Sequence, residues 1–221
     1  MKLLAIDTSS NACSVALCLN DKIHELHKIV PMQQSQMILP LIDELLHTAE
    51  IELNQLDALA FGCGPGSFTG VRIAASVIQG LAYATGLPII KISSLAAVAQ
   101  GAYEASGWKK IAVAMDARIK EVYWGTYQVN EKGLVELKGE EIVCPPNNIP
   151  ALKDSDWYGA GNAWEVYSLP FHPLELNIAL LPQASSIISL AKENFQQKKW
   201  IKPEEALPVY LRDKVAEKQK K

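Results

Sequence analysis

Two aspartates stand where an apolar strand gives way to a polar turn. Leu3-Leu4-Ala5-Ile6 runs into Asp7-Thr8-Ser9, and Ile111-Ala112-Val113-Ala114-Met115 runs into Asp116-Ala117-Arg118. A carboxylate in that place, beside the free amides of a turn, can orient metal-bound water next to a phosphate. Equally, an Asp there can do no more than close the hairpin. Glycines before a helix can offer several amides to an anion, and Gly62-Cys63-Gly64-Pro65-Gly66-Ser67-Phe68-Thr69-Gly70 has that form. The lysine of a P-loop is missing, since Val71 follows Gly70, so the glycines can also serve as tight-turn and close-packing residues. No HExxH, GxSxG or close Cys/His pair occurs. Ser67 and Thr69 have no base nearby in sequence and suit helix capping. No catalytic residue and no metal ligand is therefore assigned.

The elements that must position these residues follow from pattern and turn chemistry. A hairpin over residues 3–19 and a third strand through Val30 lead to a helix from about Ser35 to Glu50. A strand over Ala58–Phe61, the glycine loop, a helix to about Thr85, a strand over Ile89–Ile92 and a helix to about Ala105 complete the first half. The order βββαβαβα predicts a mixed sheet with helices packed on it. The strand, aspartate, turn, strand pattern then recurs at Asp116, with a third strand near 134–143, a helix over about 183–199 and a tail ending Pro208-Val209-Tyr210-Leu211-Arg212. Two related lobes, 1–104 and 105–221, are the natural division, and a tail from about 213 reads as a solvated, disordered end.

Charge is uneven along the 221 residues. Residues 1–104 carry 5 basic and 9 acidic side chains, against 16 and 15 in the rest, and the net charge of -3 argues against a polyanion binder working by bulk charge. The first half is either mostly interior or partly covered by something else. On helical wheels the apolar residues of 36–50, among them Ile38, Leu41, Ile42 and Leu45, spread over roughly 200°, whereas a surface helix shows a stripe nearer ~100°. In 71–85 the polar side chains fill only about 60°, leaving Ile73, Val77 and Leu81 among small residues. These seven residues are the predicted partner-binding set, the alternative being two helices packed within one lobe. Four cysteines without CxxC are expected to be reduced, with Cys13 and Cys18 on opposite faces of a strand. His24 and His27 read as surface or edge histidines. The opening apolar run is too short for a signal-peptide core and no stretch reaches membrane length, so a cytoplasmic protein without membrane association is expected.

Leu4-Ala5-Ile6-Asp7-Thr8-Ser9, Gly64-Pro65-Gly66-Ser67-Phe68-Thr69-Gly70-Val71-Arg72-Ile73, Met115-Asp116-Ala117-Arg118 with Glu121-Val122-Tyr123, and Pro208-Val209-Tyr210-Leu211-Arg212 together resemble the TsaB (YeaZ) family over nearly the whole chain. The resemblance implies an α/β, two-lobed actin-like (ASKHA, ribonuclease H-like) fold with duplicated βββαβα-type lobes, the second reduced. It further implies a non-catalytic scaffold for threonylcarbamoyl transfer to N6 of adenosine 37 in tRNAs reading codons that start with A. Its partners would be the catalytic subunit TsaD, TsaE and, through the complex, tRNA, with a homodimer when alone. No cofactor is expected in the isolated chain, and a nucleotide only in the complex. In TsaD a His-x-x-x-His pair holds metal; the matching positions here are Ser94 and Val98, and a valine cannot ligate metal. The peptidase label inherited by similarity is not expected to hold. The fold also admits a rival: an actin-like ATPase or kinase using Asp7 and Asp116, with Asp7, Thr8, Ser9 and Asp116 otherwise a vestigial phosphate turn.

Overall fold

The computed structural model describes residues 1–212. The first sheet contains β1 (Lys2–Asp7), β2 (Ala12–Leu19), β3 (Lys22–Ile29), β4 (Ala58–Gly62) and β5 (Ile89–Ile92) in the order β3-β2-β1-β4-β5. The second contains β6 (Lys110–Asp116), β7 (Val122–Val129), β8 (Val135–Leu137), β10 (Tyr158–Ala160) and β11 (Leu176–Asn177) in the order β11-β10-β6-β7-β8, with β9 (Ile142–Cys144) also paired to β7. In each sheet the first strand pairs antiparallel with the second and parallel with the fourth, and the fourth pairs parallel with the fifth. The duplication read from the two aspartates is thus a duplication of sheet topology. The single third strand expected near 134–143 is split into β8 and β9.

Helices follow the same order but not the same lengths. The first half carries α1 (Gln34–Thr48), α2 (Phe68–Thr85) and α3 (Ser94–Ser106). The second has α4 (Ala163–Val166), four residues long, and α5 (Ala184–Gln196). Aromatic side chains cover the outer face of the second sheet in place of long helices. Trp124 lies under Trp164 and Phe171, with ring centroids 6.2 and 6.3 Å apart, beside Trp157 and Leu169.

The central layer is interlocked. α3, from the first half, packs on β6 and β7, whereas α5, from the second half, packs on β1, β2, β4 and β5, and the two helices touch. Leu3, Ala5, Ala16 and Cys18 on one face of the first sheet share a core with Val98, Ile111, Val113, Ile187 and Ile188. Leu4, Ile6, Cys13, Val15 and Leu17 on its other face pack under α1 and α2. The alternation of Cys13 and Cys18 between faces is as the strand period requires. His24 is exposed and His27 half-buried on the edge strand β3.

α5 begins without a cap of its own, because the Gln183 side chain makes no capping bond. The first lobe supplies one: the Ser14 hydroxyl accepts from the Ala184 amide at 2.9 Å, and Glu25 accepts from the Ser185 amide at 3.0 Å, its hydroxyl at 2.8 Å and the Ser14 hydroxyl at 2.8 Å. A carboxylate at a helix N-terminus also meets the positive end of the macrodipole. Glu25→Ala leaves the buried Ser14 hydroxyl and the helix amides short of partners, and is expected to cost about 2 kcal/mol in urea unfolding. Glu25→Gln, which keeps an acceptor oxygen, is expected to lose less than half of that.

Candidate functional site

The two aspartates do not face one another across a cavity. Asp7 is 1% exposed. Its Oδ1 accepts from the Ser9 amide and hydroxyl, both at 2.8 Å, and its Oδ2 from the Ser94 hydroxyl at 3.2 Å. The Ser94 oxygen in turn accepts from the Gly64 amide at 3.2 Å. Burial outweighs these three bonds and pushes the Asp7 carboxyl up to about 7. Asp116 repeats the local pattern: its Oδ1 accepts from the Arg118 amide at 2.9 Å, two residues on, as Asp7 does from Ser9. Tyr167 donates to the same oxygen at 2.9 Å, and the Arg118 guanidinium lies 3.1 Å from the other. Each carboxylate closes its own turn.

The glycine loop explains why Asp7 is sealed. A β-carbon at Gly62 would overlap the Asp7 carboxylate, and one at Gly70 would overlap the Thr8 carbonyl. Thr8 donates its hydroxyl to the Gly70 carbonyl at 2.7 Å, and the Ser67 amide donates to the Ser9 carbonyl at 2.7 Å. Loop and turn are therefore packed backbone to backbone at Asp7 and Thr8. Of the two readings of the glycines, close packing is the one this geometry carries. Ser67 caps α2, accepting from the Gly70 amide. Ser94, at a position where the resemblance predicts no metal ligand, is the residue whose part in the Asp7 network sequence reasoning missed. Its neighbour at 98, Val98, is buried in the core.

Beside the sealed turn an interlobe cleft of about 330 Å3 remains open, lined by Ser9, Gly66, Phe68, Asp116, Tyr123 and Tyr210 among others. The returning C-terminal segment forms one wall. Ile201 exchanges two backbone bonds with Ile89, the Gln79 side chain donates to the Pro203 carbonyl, and the Val209 amide donates to the Cys63 carbonyl. Arg212 then crosses to the second lobe and donates to the Ala117 carbonyl at 3.0 Å and to the Glu121 carboxylate. The segment ties the glycine loop to the β6–β7 turn.

The predicted partner-binding residues divide between the helices. On α1, Ile38, Leu41, Ile42 and Leu45 are at most 5% exposed and pack into the chain's own core. Much of the wide apolar arc of this helix is covered by β2 and α2, whereas Leu39 is 53% exposed and Met37 and Leu46 are half-buried. These four are buried within the chain itself, which a wheel of one helix cannot show. On α2, Ile73, Val77 and Leu81 are half-buried and follow one another at four-residue spacing, beside exposed Ser76, Gly80 and Ala84. A shallow groove of about 360 Å3 runs along this face between Ser35 and Phe68, Ile73 and Val77. At its end Arg72 lies over the Phe68 ring at 3.3 Å and faces the Tyr210 ring at 4.9 Å. Stacking of that kind holds a guanidinium in place.

Similarity to known proteins matches this geometry. The TsaB protein of Escherichia coli, a tRNA threonylcarbamoyladenosine biosynthesis protein, is 37% identical over 98% of this chain and 96% of its own. That of Haemophilus influenzae is 39% identical over 97% and 95%. The solved structure of YeaZ from Pseudomonas aeruginosa is 44% identical and superposes with a TM-score of 0.92 over 95% of this chain and 99% of that one. The chain belongs to the TsaB (YeaZ) family. A family model described as TsaD, tRNA N6-adenosine threonylcarbamoyltransferase, also matches residues 28–220. The two-lobed, actin-like architecture of the TsaB family is thus the fold of this chain. No helix among the described residues is long and apolar enough to cross a membrane.

Proposed function

We propose that this chain is a non-catalytic subunit in the formation of threonylcarbamoyladenosine at position 37 of tRNA, docking on a TsaD-type catalytic subunit and helping to recruit a TsaE-type protein. Membership in the TsaB family supports the pathway. The observation that carries the docking is the outer face of α2, where Ile73, Val77 and Leu81 stay half-exposed beside small residues that let another helix come close. Gly80 adds to this: no atom lies within 4 Å of a β-carbon built there, so the folded chain itself gains nothing from a glycine in mid-helix. Without the catalytic partner the same face pairs two copies of the chain, and any nucleotide belongs to the heteromeric complex. The rival ATPase reading needs Asp7 to face the cleft, and Asp7 is sealed from it.

Two measurements test the reading. Threonylcarbamoyl transfer by TsaD-type and TsaE-type proteins should require the chain; transfer of equal rate without it overturns the proposal. In size-exclusion, Val77→Arg should abolish both the homodimer and the heterodimer, because burying one unpaired guanidinium costs several kcal/mol against an interface core. The described half-exposure of Val77 means that the monomer should still fold.

A further inference from the structure

Aromatic rings gather at the rim of the interlobe cleft. Phe68 and Tyr210 line it and are 53% and 47% exposed, so each ring keeps apolar surface in water that a flat partner would cover. Arg72 lies over the first ring and faces the second, and its Nη1 donates to the Phe68 carbonyl at 2.7 Å. A guanidinium held in this way loses little freedom when something docks on it. From the second lobe comes Tyr123, half-buried, whose hydroxyl donates to the Gly66 carbonyl at 3.4 Å. Both lobes thus present rings to one cleft of about 330 Å3.

Charge at the same rim is positive. Arg118 and Arg212 line the cleft, Arg72 adjoins it through Phe68 and Tyr210, and Lys120 is exposed two residues from Arg118. The carboxylates in contact with these cations are Asp116, held by Arg118, and Glu121, held by Arg212. Arg72 and Lys120 have no ion-pair partner among the described residues. Cations therefore outnumber carboxylates here, although the whole chain carries a net charge of -3. The sequence that follows Arg212 adds Lys214, Lys218, Lys220 and Lys221 against Asp213 and Glu217.

We infer that the interlobe cleft and its rim receive single-stranded RNA, with a base stacked on the Tyr210 ring and backbone phosphates met by Arg72 and Lys120. Exposed rings interleaved with cations are the two elements that hold an unpaired strand. A duplex hides its base faces, so these rings would find nothing in it to stack on. A protein partner would have to bring a carboxylate to each unpaired cation, whereas an RNA backbone carries a negative charge at every step. Arg212, by bonding Ala117 and Glu121, positions the segment that carries Tyr210. The inference deepens the proposed function and rests on it for the kind of nucleic acid, since the family acts in tRNA modification. Its surface is separate from the Ile73, Val77 and Leu81 stripe, with Arg72 at the border of the two.

The test is fluorescence anisotropy of a labelled anticodon stem-loop RNA titrated with the full chain alone, against a blunt RNA duplex and ATP as competitors. The stem-loop should bind, the duplex and ATP should not displace it, and log affinity should fall with log salt at a slope of about -1 to -2. Tyr210→Ala should weaken binding roughly 5- to 100-fold, the loss of one stacked base, while Tyr210→Phe keeps the ring and the affinity. Lys120→Ala should weaken it less and bring the slope about 0.7 nearer to zero. Lys120 is exposed, so this variant carries the test even if the loss of Tyr210 loosens the C-terminal segment. No binding, equal binding of the duplex, an affinity independent of salt, or wild-type affinity in both alanine variants overturns the inference. Displacement by ATP would assign the cleft to a free nucleotide and also overturn it. So would a Tyr210→Ala chain that binds RNA normally but no longer binds a TsaD-type protein. A chain that supports threonylcarbamoyl transfer yet binds no RNA removes this inference alone, and a chain that binds RNA but is not required for transfer removes the proposed function alone.

Discussion

Asp7→Asn is expected to stabilise the chain at pH 8 and to flatten its stability against pH. In the unfolded chain this carboxyl loses its proton near 3.8, and in the folded chain near 7. Between those values the folded state holds the extra proton, so Asp7 makes stability fall as pH rises from about 4 to about 7 and leaves it low above that. The full difference corresponds to on the order of 4 kcal/mol. Asparagine keeps the oxygen that accepts from Ser9, but its amide nitrogen must donate to the Ser94 oxygen, which already accepts from Gly64. Part of the gain is therefore lost, and a net gain of roughly 2–4 kcal/mol at pH 8 remains. In calorimetry this is a rise of roughly 5–15 °C in the thermal midpoint, shrinking towards zero at pH 4. A lower midpoint at pH 8 would mean that the ionised carboxylate is the stabilised form. The variant also separates the two functional readings: an ATPase needs the carboxylate, whereas a scaffold retains its support of tRNA modification.

Gly70→Ala and Gly80→Ala, ten residues apart on one helix, should act in opposite directions. At Gly70 the added methyl meets the Thr8 backbone, which cannot turn aside as a flexible side chain would. Separation of loop and turn would break the bond from Thr8 to the Gly70 carbonyl and loosen the seal over Asp7. A loss of about 3 kcal/mol or more is expected. At Gly80 the methyl meets nothing, and replacing a mid-helix glycine should stabilise the monomer by about 1 kcal/mol. Urea unfolding of the two variants measures both. Equal effects would mean that the glycine loop is not packed on the Asp7 turn as described.

The structure reassigns the low charge of the first 104 residues. β1, β2, β4 and β5 are buried on both faces, under α1 and α2 on one side and under α5 on the other. Most of the deficit is therefore interior, and the α2 stripe is among the apolar surface that remains, with Leu39 on α1 and Ile29 and Met32 beside it in the sequence also exposed. The second half carries more charge because its outer sheet face is closed by a few large aromatic side chains and its loops run in solvent. The lysine-rich tail after Arg212 lies outside the described residues.

The sequence alone determined the local elements, their order and their duplication. Strand period, capping serines and turn residues act over a few positions, so Ile89–Ile92 emerges with the bounds the pattern predicts and the Asp7 and Asp116 turns are recognisably one motif. Tertiary structure alone decided which faces are inside. A helical wheel shows how wide an apolar arc is but not how many neighbours cover it, and so Ile38, Leu41, Ile42 and Leu45 are core while Ile73, Val77 and Leu81 are edge. Contacts such as Ser94 with Asp7, Glu25 with the start of α5, and Arg212 with the β6–β7 turn join residues more than eighty positions apart. Such bonds depend on how sheets and helices stack, and no local pattern in the chain encodes them.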